Sequence, residues 1–294
     1  MPAFRPRADL RARLDALYAG YNATHSVNDP IWVVRRFTRP EDQEVVAFCA
    51  AALAFGRVQS VMNAIAGLLA AMGPSPADYV RAFEPSARRS LDHLVHRWTR
   101  GVDLAALVWV LRRMLDEAGS IEGYFARGLE PDAVTVESAL ESFSARALAV
   151  SVREIYGRAR PSPGVAYFFP RPSGGGACKR LNLFLRWMVR RDEVDLGVWT
   201  RVSPAQLIVP LDTHVIRVGR CLGLTRYASP GWRMAADITS SLRALDAADP
   251  VRYDFALCHV GMMGACGFGR PRGDAHCPLK GACRPARAAV RGTS

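Results

Sequence analysis

Two positions in the sequence carry the residue types and spacing from which chemistry would be built. Asp212 lies in the stretch Pro210, Leu211, Asp212, Thr213, His214, Val215, Ile216, Arg217, Val218, and Lys179 follows Gly174, Gly175, Gly176, Ala177 and Cys178. The run from Ala205 to Leu211 is apolar and punctuated by proline, and Val215, Val218 and Leu222 then recur at helical spacing. Asp212 therefore sits at or beside a helix N-cap. One reading is that it only caps, accepting from backbone N–H groups. Glycines at 174, 175 and 176 let the backbone approach a ligand closely, and the first N–H groups of the helix behind them suit a phosphate. Lys179, next to Arg180, then reads as a phosphate contact, and His214 either faces the same ligand or bonds its own turn.

The segment LDTHVIRVGRCLGLT, residues 211 to 225, resembles the (V/L)DTHVxRVxxRLGL signature of the helix-hairpin-helix DNA glycosylase superfamily, which includes endonuclease III and the 8-oxoguanine glycosylases. The GGGACK segment with the helix pattern of Leu181, Phe184, Leu185 and Met188 is similar to that superfamily's LPGVGxK hairpin, and Lys179 falls on its lysine. Lys179 lies 33 positions before Asp212, a spacing closer to the archaeal 8-oxoguanine type than to endonuclease III. The resemblance covers roughly residues 28 to 285 and places the chain in a divergent branch.

The resemblance implies a two-lobed, all-α fold with a DNA cleft between the lobes, and a base extruded from duplex DNA into a pocket. Asp212 would stabilise the cationic sugar left when the glycosidic bond breaks. Lys179 would attack the anomeric carbon and form the Schiff base that permits strand cleavage, making the protein a bifunctional glycosylase and AP lyase. Arg57 or Gln59 would fill the gap left by the extruded base, unless the break at 56 to 59 is an ordinary turn. Asp254 and Phe255 lie where a late helix would line the base pocket. Tyr167, Phe168 and Phe169 stack on a base or belong to the core. The alternative reading is a non-catalytic helical DNA-binding module in which Lys179 contacts phosphate and Asp212 only caps.

Helical periodicity dominates the elements that must position these residues, and no two-residue alternation extends far enough for a sheet. Helices are expected near 10 to 18, 43 to 54 (opened by Pro40, Glu41 and Asp42), 62 to 72, 76 to 82, 86 to 97, 103 to 116, 120 to 127 and 133 to 148. The Pro-, Ser- and Gly-rich stretch from Arg158 to Gly176 is the clearest boundary. It separates an N-terminal lobe over 1–160 from a part over 161–294 that holds the hairpin, the Asp212 helix and a cysteine loop. The N-terminal helix is expected to return to the second part.

With 294 residues, half of them hydrophobic, the chain can bury one large core or two smaller ones. No apolar run approaches the roughly 18 residues of a membrane span, and the Arg-rich start lacks the apolar stretch of a signal peptide. The cytoplasm is the default compartment, and a monomer the default state. The net charge of +12 is almost all arginine excess, which favours bidentate contact with a polyanion such as double-stranded DNA. Lys179, Arg180, Arg186, Arg190 and Arg191 gather around the hairpin, and Arg270, Arg272, Lys280, Arg284, Arg287 and Arg291 near the end of the chain.

Seven cysteines, several in apolar surroundings, argue against a disulfide framework. The iron–sulfur members of the superfamily carry four cysteines spaced Cx6Cx2Cx5C. Here Cys266, Cys277 and Cys283 are present, and Asp274 stands where a cysteine would precede Cys277. A 4Fe-4S cluster would need a fourth ligand from Asp274, His276, Cys258 or His259. His276 beside Cys277 also suits zinc, and a loop without metal is the third reading.

Overall fold

The computed structural model describes residues 9–20, 29–158, 163–262 and 276–283. Among them the chain is almost entirely helical: α1 (Leu10–Gly20), α2 (Ile31–Val34), α3 (Pro40–Leu53), α4 (Val58–Met72), α5 (Pro76–Ala82), α6 (Gly101–Ala118), α7 (Ile121–Ala126), α8 (Glu137–Ala149), α9 (Arg153–Tyr156), α10 (Pro163–Ala166), α11 (Lys179–Val189), α12 (Thr213–Leu222), α13 (Trp232–Arg243) and α14 (Asp254–Met262). No described helix is long and apolar enough to cross a membrane.

Helix α3 lies at the centre of the packing. Proline at its first position and Glu41 and Asp42 in its first turn start it as the sequence signals predict. From Val45 to Leu53 every residue is buried, and its run of alanines leaves room for α11 to pack closely. Phe48 meets Phe184 of α11 edge-on at 5.0 Å and Phe169 at 5.6 Å. Its two buried acids satisfy the starts of other helices. Asp42 accepts from Ala77 N at 2.8 Å, and Glu44 accepts from Ile121 N at 2.9 Å and from Trp199 Nε1 at 2.8 Å.

One hydrophobic cluster unites described residues from Leu10 to Ala282. Helix α1 joins it beside α14: Tyr253 donates to Asp15 at 2.7 Å, and Arg13 donates to the carbonyl of Lys280 at 2.9 Å. Helices α12 and α14 approach closely because residue 261 is glycine. A Cβ there would lie 2.6 Å from that of His214.

One expected helix does not form. Residues 86 to 97 instead make a 3₁₀ turn over Pro85–Leu91, and Val95–His96 then pairs antiparallel with Thr99–Arg100. Leu91 and Leu94 mimic helical spacing, but Arg97 turns the chain back at φ +55, and Gly101 packs directly on the carbonyl of Leu91, where no Cβ would fit.

Candidate active site

Asp212 is the N-cap of α12, with an extended backbone at φ −110. Its two carboxylate oxygens have separate duties. Oδ1 accepts from the backbone N–H groups of His214 and Val215, both at 2.8 Å. Oδ2 turns toward α14 and accepts from Cys258 Sγ at 3.1 Å. Capping therefore occupies one oxygen and leaves the other for a different partner.

Cys258 holds that partner's place as a protonated thiol. Burial pushes its pKa far above the ordinary thiol range, and the Asp212 charge and hydrogen bond add to the rise, as does Asp254. Lys179 is near enough for its charge to oppose that rise. Thus the cap of α12 and the middle of α14 meet, within electrostatic range of the first residue of α11. Asp254, one helical turn before Cys258, is buried with Oδ2 accepting from Arg186 at 2.6 Å, and its Oδ1 has no hydrogen-bond partner among the described residues. Burial raises this carboxyl to about 6. Arg186 works against the rise, and Asp212 adds to it.

Lys179 is half-buried and opens α11 behind Cys178, which adopts a left-handed conformation at φ +48 and gives the helix no side-chain cap. Gly174, Gly175 and Gly176 are exposed, with open space where a side chain would begin. Gly175 alone of these has positive φ, at +78, and its carbonyl receives Trp232 N at 3.0 Å. That bond ties the hairpin to the start of α13.

The arginines expected to face phosphate around the hairpin mostly do not. Arg180 is buried and donates to the carbonyls of Ala52, at 3.0 Å, and Tyr167. Its guanidinium lies 3.6 Å from the Tyr167 ring centre, and burial draws its pKa down to about 10. Arg186 is enclosed by Asp195 and Asp254, and Arg190 by Asp192, Asp195 and Asp249. Burial works against both charges, and the carboxylates more than offset it. Two positive charges so deep would be prohibitive unless paired. Charge count along the sequence does not separate a DNA-facing arginine from one held by distant aspartates.

The remaining candidates are spread over the molecule. Arg57 and Gln59 are exposed at the start of α4, with Gln59 bonded to Asn63 at 2.9 Å. His214 packs against Gly261, and its buried Nδ1 has no hydrogen-bond partner among the described residues. The ring's Nδ1 edge lies on the α14 side and makes no bond within its own turn. Phe168 and Phe169 belong to the core, and Tyr167 lies half-buried above Arg180. Phe255 is buried with His259 stacked on it at 4.0 Å.

Cys277 is buried and Cys283 half-buried in the turn over 276–283, with His276 exposed. Cys266 and Asp274 lie outside the described residues. Among the described residues no three His, Cys, Asp or Glu side chains gather in a metal-holding group. A hollow of about 620 Å³ lined by Trp109, Arg113, Glu117, Tyr124 and Arg146 is built from elements other than α11, α12 and α14.

Sequence reasoning singled out Lys179 and Asp212, and named Cys258 only as a candidate cluster ligand, whereas its thiol lies against Asp212. The signal that existed was the four-residue spacing of Asp254 and Cys258, which puts both on one helix face. Residues 29–263 match the family described as a protein of unknown function (DUF2400). No curated protein and no solved structure matches the chain.

Proposed function

We propose that this chain, which belongs to the DUF2400 family, is a DNA N-glycosylase with AP lyase activity that acts through Lys179 and Asp212. The observation that carries the reading is that the Asp212 oxygen not used in capping turns to Cys258, whose thiol also feels the charge of Lys179. Composition strengthens it. Of the 39 lysine and arginine residues only Lys179 and Lys280 are lysines. Arginine serves phosphate contacts at least as well. A lysine at the start of α11, in a chain whose other cations are nearly all arginine, fits a task for which arginine is unsuited, the attack of an amine on carbon.

In this reading Lys179 Nζ forms a bond to C1′ of the sugar, the bond from C1′ to the base breaks with its electron pair leaving on the base, and the new ammonium loses a proton. Ring opening gives an iminium, and loss of a proton from C2′ expels the 3′ phosphate. Asp212 Oδ2 faces the positive charge that develops on the sugar. The DNA would run in a cleft between two helical lobes, past the exposed glycines at 174 to 176.

Borohydride reduction tests the proposal on duplexes each carrying a single damaged base. The wild type should be trapped covalently, and Lys179→Gln should not be, while keeping most of its DNA affinity because one charge among many is lost. The rival reading, a DNA-binding module without catalysis, draws on the double cap made by Oδ1. It predicts no trapping by either protein and a clear loss of DNA affinity in Lys179→Gln, whose phosphate contact is gone.

A further inference from the structure

The hairpin at 95–100 carries a feature that the proposed chemistry leaves unused. Trp98, at its tip, is 51 % exposed. Its ring stacks on Phe55 at 4.9 Å with the planes 26° apart, and it meets Tyr167 at 5.2 Å nearly edge-on. Phe55 and Tyr167 are themselves in edge contact at 5.2 Å. Three segments remote in sequence therefore contribute one ring each to a surface cluster: the end of α3, the hairpin, and the turn before the glycines.

The cluster is rigidly backed. His96 is buried, bonds the carbonyl of Phe55 at 2.9 Å, and lies against the Phe55 ring at 4.5 Å. Beneath Tyr167 the Arg180 guanidinium holds its face at 3.6 Å. Arg57, Arg97 and Arg100 are exposed around it, and the Arg97 guanidinium lies 5.4 Å from the Trp98 ring centre. Arg180 is the immediate neighbour of Lys179 on α11, so the cluster adjoins the start of the helix that carries the candidate nucleophile.

We propose that Phe55, Trp98 and Tyr167 form a stacking platform for an unpaired nucleobase of a DNA strand, with Trp98 as the ring the base meets. The identity of the strand rests on the function proposed above, and the platform itself rests on the geometry. Every base presents a flat π-face that stacks on an aromatic ring whatever its sequence. A rim of arginine complements the phosphates on either side of that base. An apolar protein partner would match the rings but not the rim.

The test uses the full chain with two fluorescent strands of equal length at one fixed salt concentration: oligothymidylate, and a base-free strand of tetrahydrofuran phosphodiester units. The wild type should bind the thymidylate more tightly. Trp98→Ala should lose roughly 5- to 150-fold on the thymidylate and little on the base-free strand, and Trp98→Phe should retain most of the affinity. Trp98 is half exposed, so these changes leave the core intact, and an unchanged melting temperature checks this. Arg97→Gln should weaken both strands alike.

Several results would overturn the platform: a wild type that does not distinguish the strands, a Trp98→Ala loss equal on both, or polyglutamate displacing thymidylate with the same dependence on Trp98. The glycosylase reading fails separately. A protein never trapped by borohydride whose thymidylate binding still depends on Trp98 keeps the platform and loses the lyase. A trapped protein indifferent to Trp98 does the reverse.

Discussion

Cys258 donates its thiol hydrogen to Asp212 Oδ2 across 3.1 Å, joining the middle of α14 to the cap of α12. The contact sets what each group can do. The thiol is held protonated by burial and by the carboxylate, so it is a poor nucleophile. The carboxylate keeps one oxygen on a weak, easily replaced donor. Cys258→Ser, with a hydroxyl in the same place, should keep base release within about threefold of wild type, because the donor survives. Cys258→Val should destabilise the fold by about 1–3 kcal/mol through the partner it takes from a charged oxygen. Alkylation followed by mass spectrometry gives an independent reading: Cys258 should stay unmodified under conditions that label an accessible thiol, and Asp212→Asn should speed its labelling.

Asp212→Asn separates capping from catalysis. Asparagine is as good a cap as aspartate, and its Oδ1 can accept from His214 and Val215 as the carboxylate does. Chemical denaturation should therefore find the variant within about 1 kcal/mol of wild type, whereas Asp212→Ala should lose about 0.5–2 kcal/mol. Base release should fall by roughly 100-fold or more in both, since each removes the negative charge. An Asn variant with full activity would leave the residue as a cap alone.

The pattern of the sequence carried the helices further than it carried the charges. Pro76–Ala82 and the helix opened by Pro40 appear where turn signals and apolar spacing place them, because those signals are local. The hairpin over 95–100 escaped because its turn depends on a left-handed arginine and on contact between Gly101 and Leu91. Arg186 and Arg190 read as a DNA-facing cluster because the aspartates that enclose them lie as far as 68 and 59 residues along the chain. The same distance hid Cys258 from Asp212, which are 46 residues apart. Lys179 and Asp212 were legible because each stands at a helix start with a motif around it.

Arg180 offers a test of that revised charge map. Its guanidinium is bound to the carbonyls of Ala52 and Tyr167, so it neutralises no phosphate and releases no counterion from DNA. Arg180→Gln should lower stability by about 1–3 kcal/mol for each carbonyl left without a partner. The slope of log affinity for duplex DNA against log salt should stay unchanged. A residue that contacts a phosphate would reduce that slope by about 0.9 when removed, and such a change in Arg180→Gln would return the residue to the DNA surface.

Asp254 predicts an unusual dependence on pH. Burial raises its carboxyl to about 6 in the folded protein, against an ordinary value of 3.8. Between those values the folded state holds a proton that the unfolded state has released, so stability falls as pH rises and the fall ends once pH passes the folded value. This is opposite in sign to the usual surface carboxylate, whose salt bridge stabilises the fold at neutral pH. Asp254→Asn keeps the shape of the neutral acid without the titration. Urea unfolding from pH 4 to pH 7.5 should therefore show wild type losing ground steadily to the variant up to about pH 6, with a constant gap above it. A gap that moves in favour of wild type over the same range would mean that Arg186 outweighs the cost of burial and holds Asp254 ionised throughout.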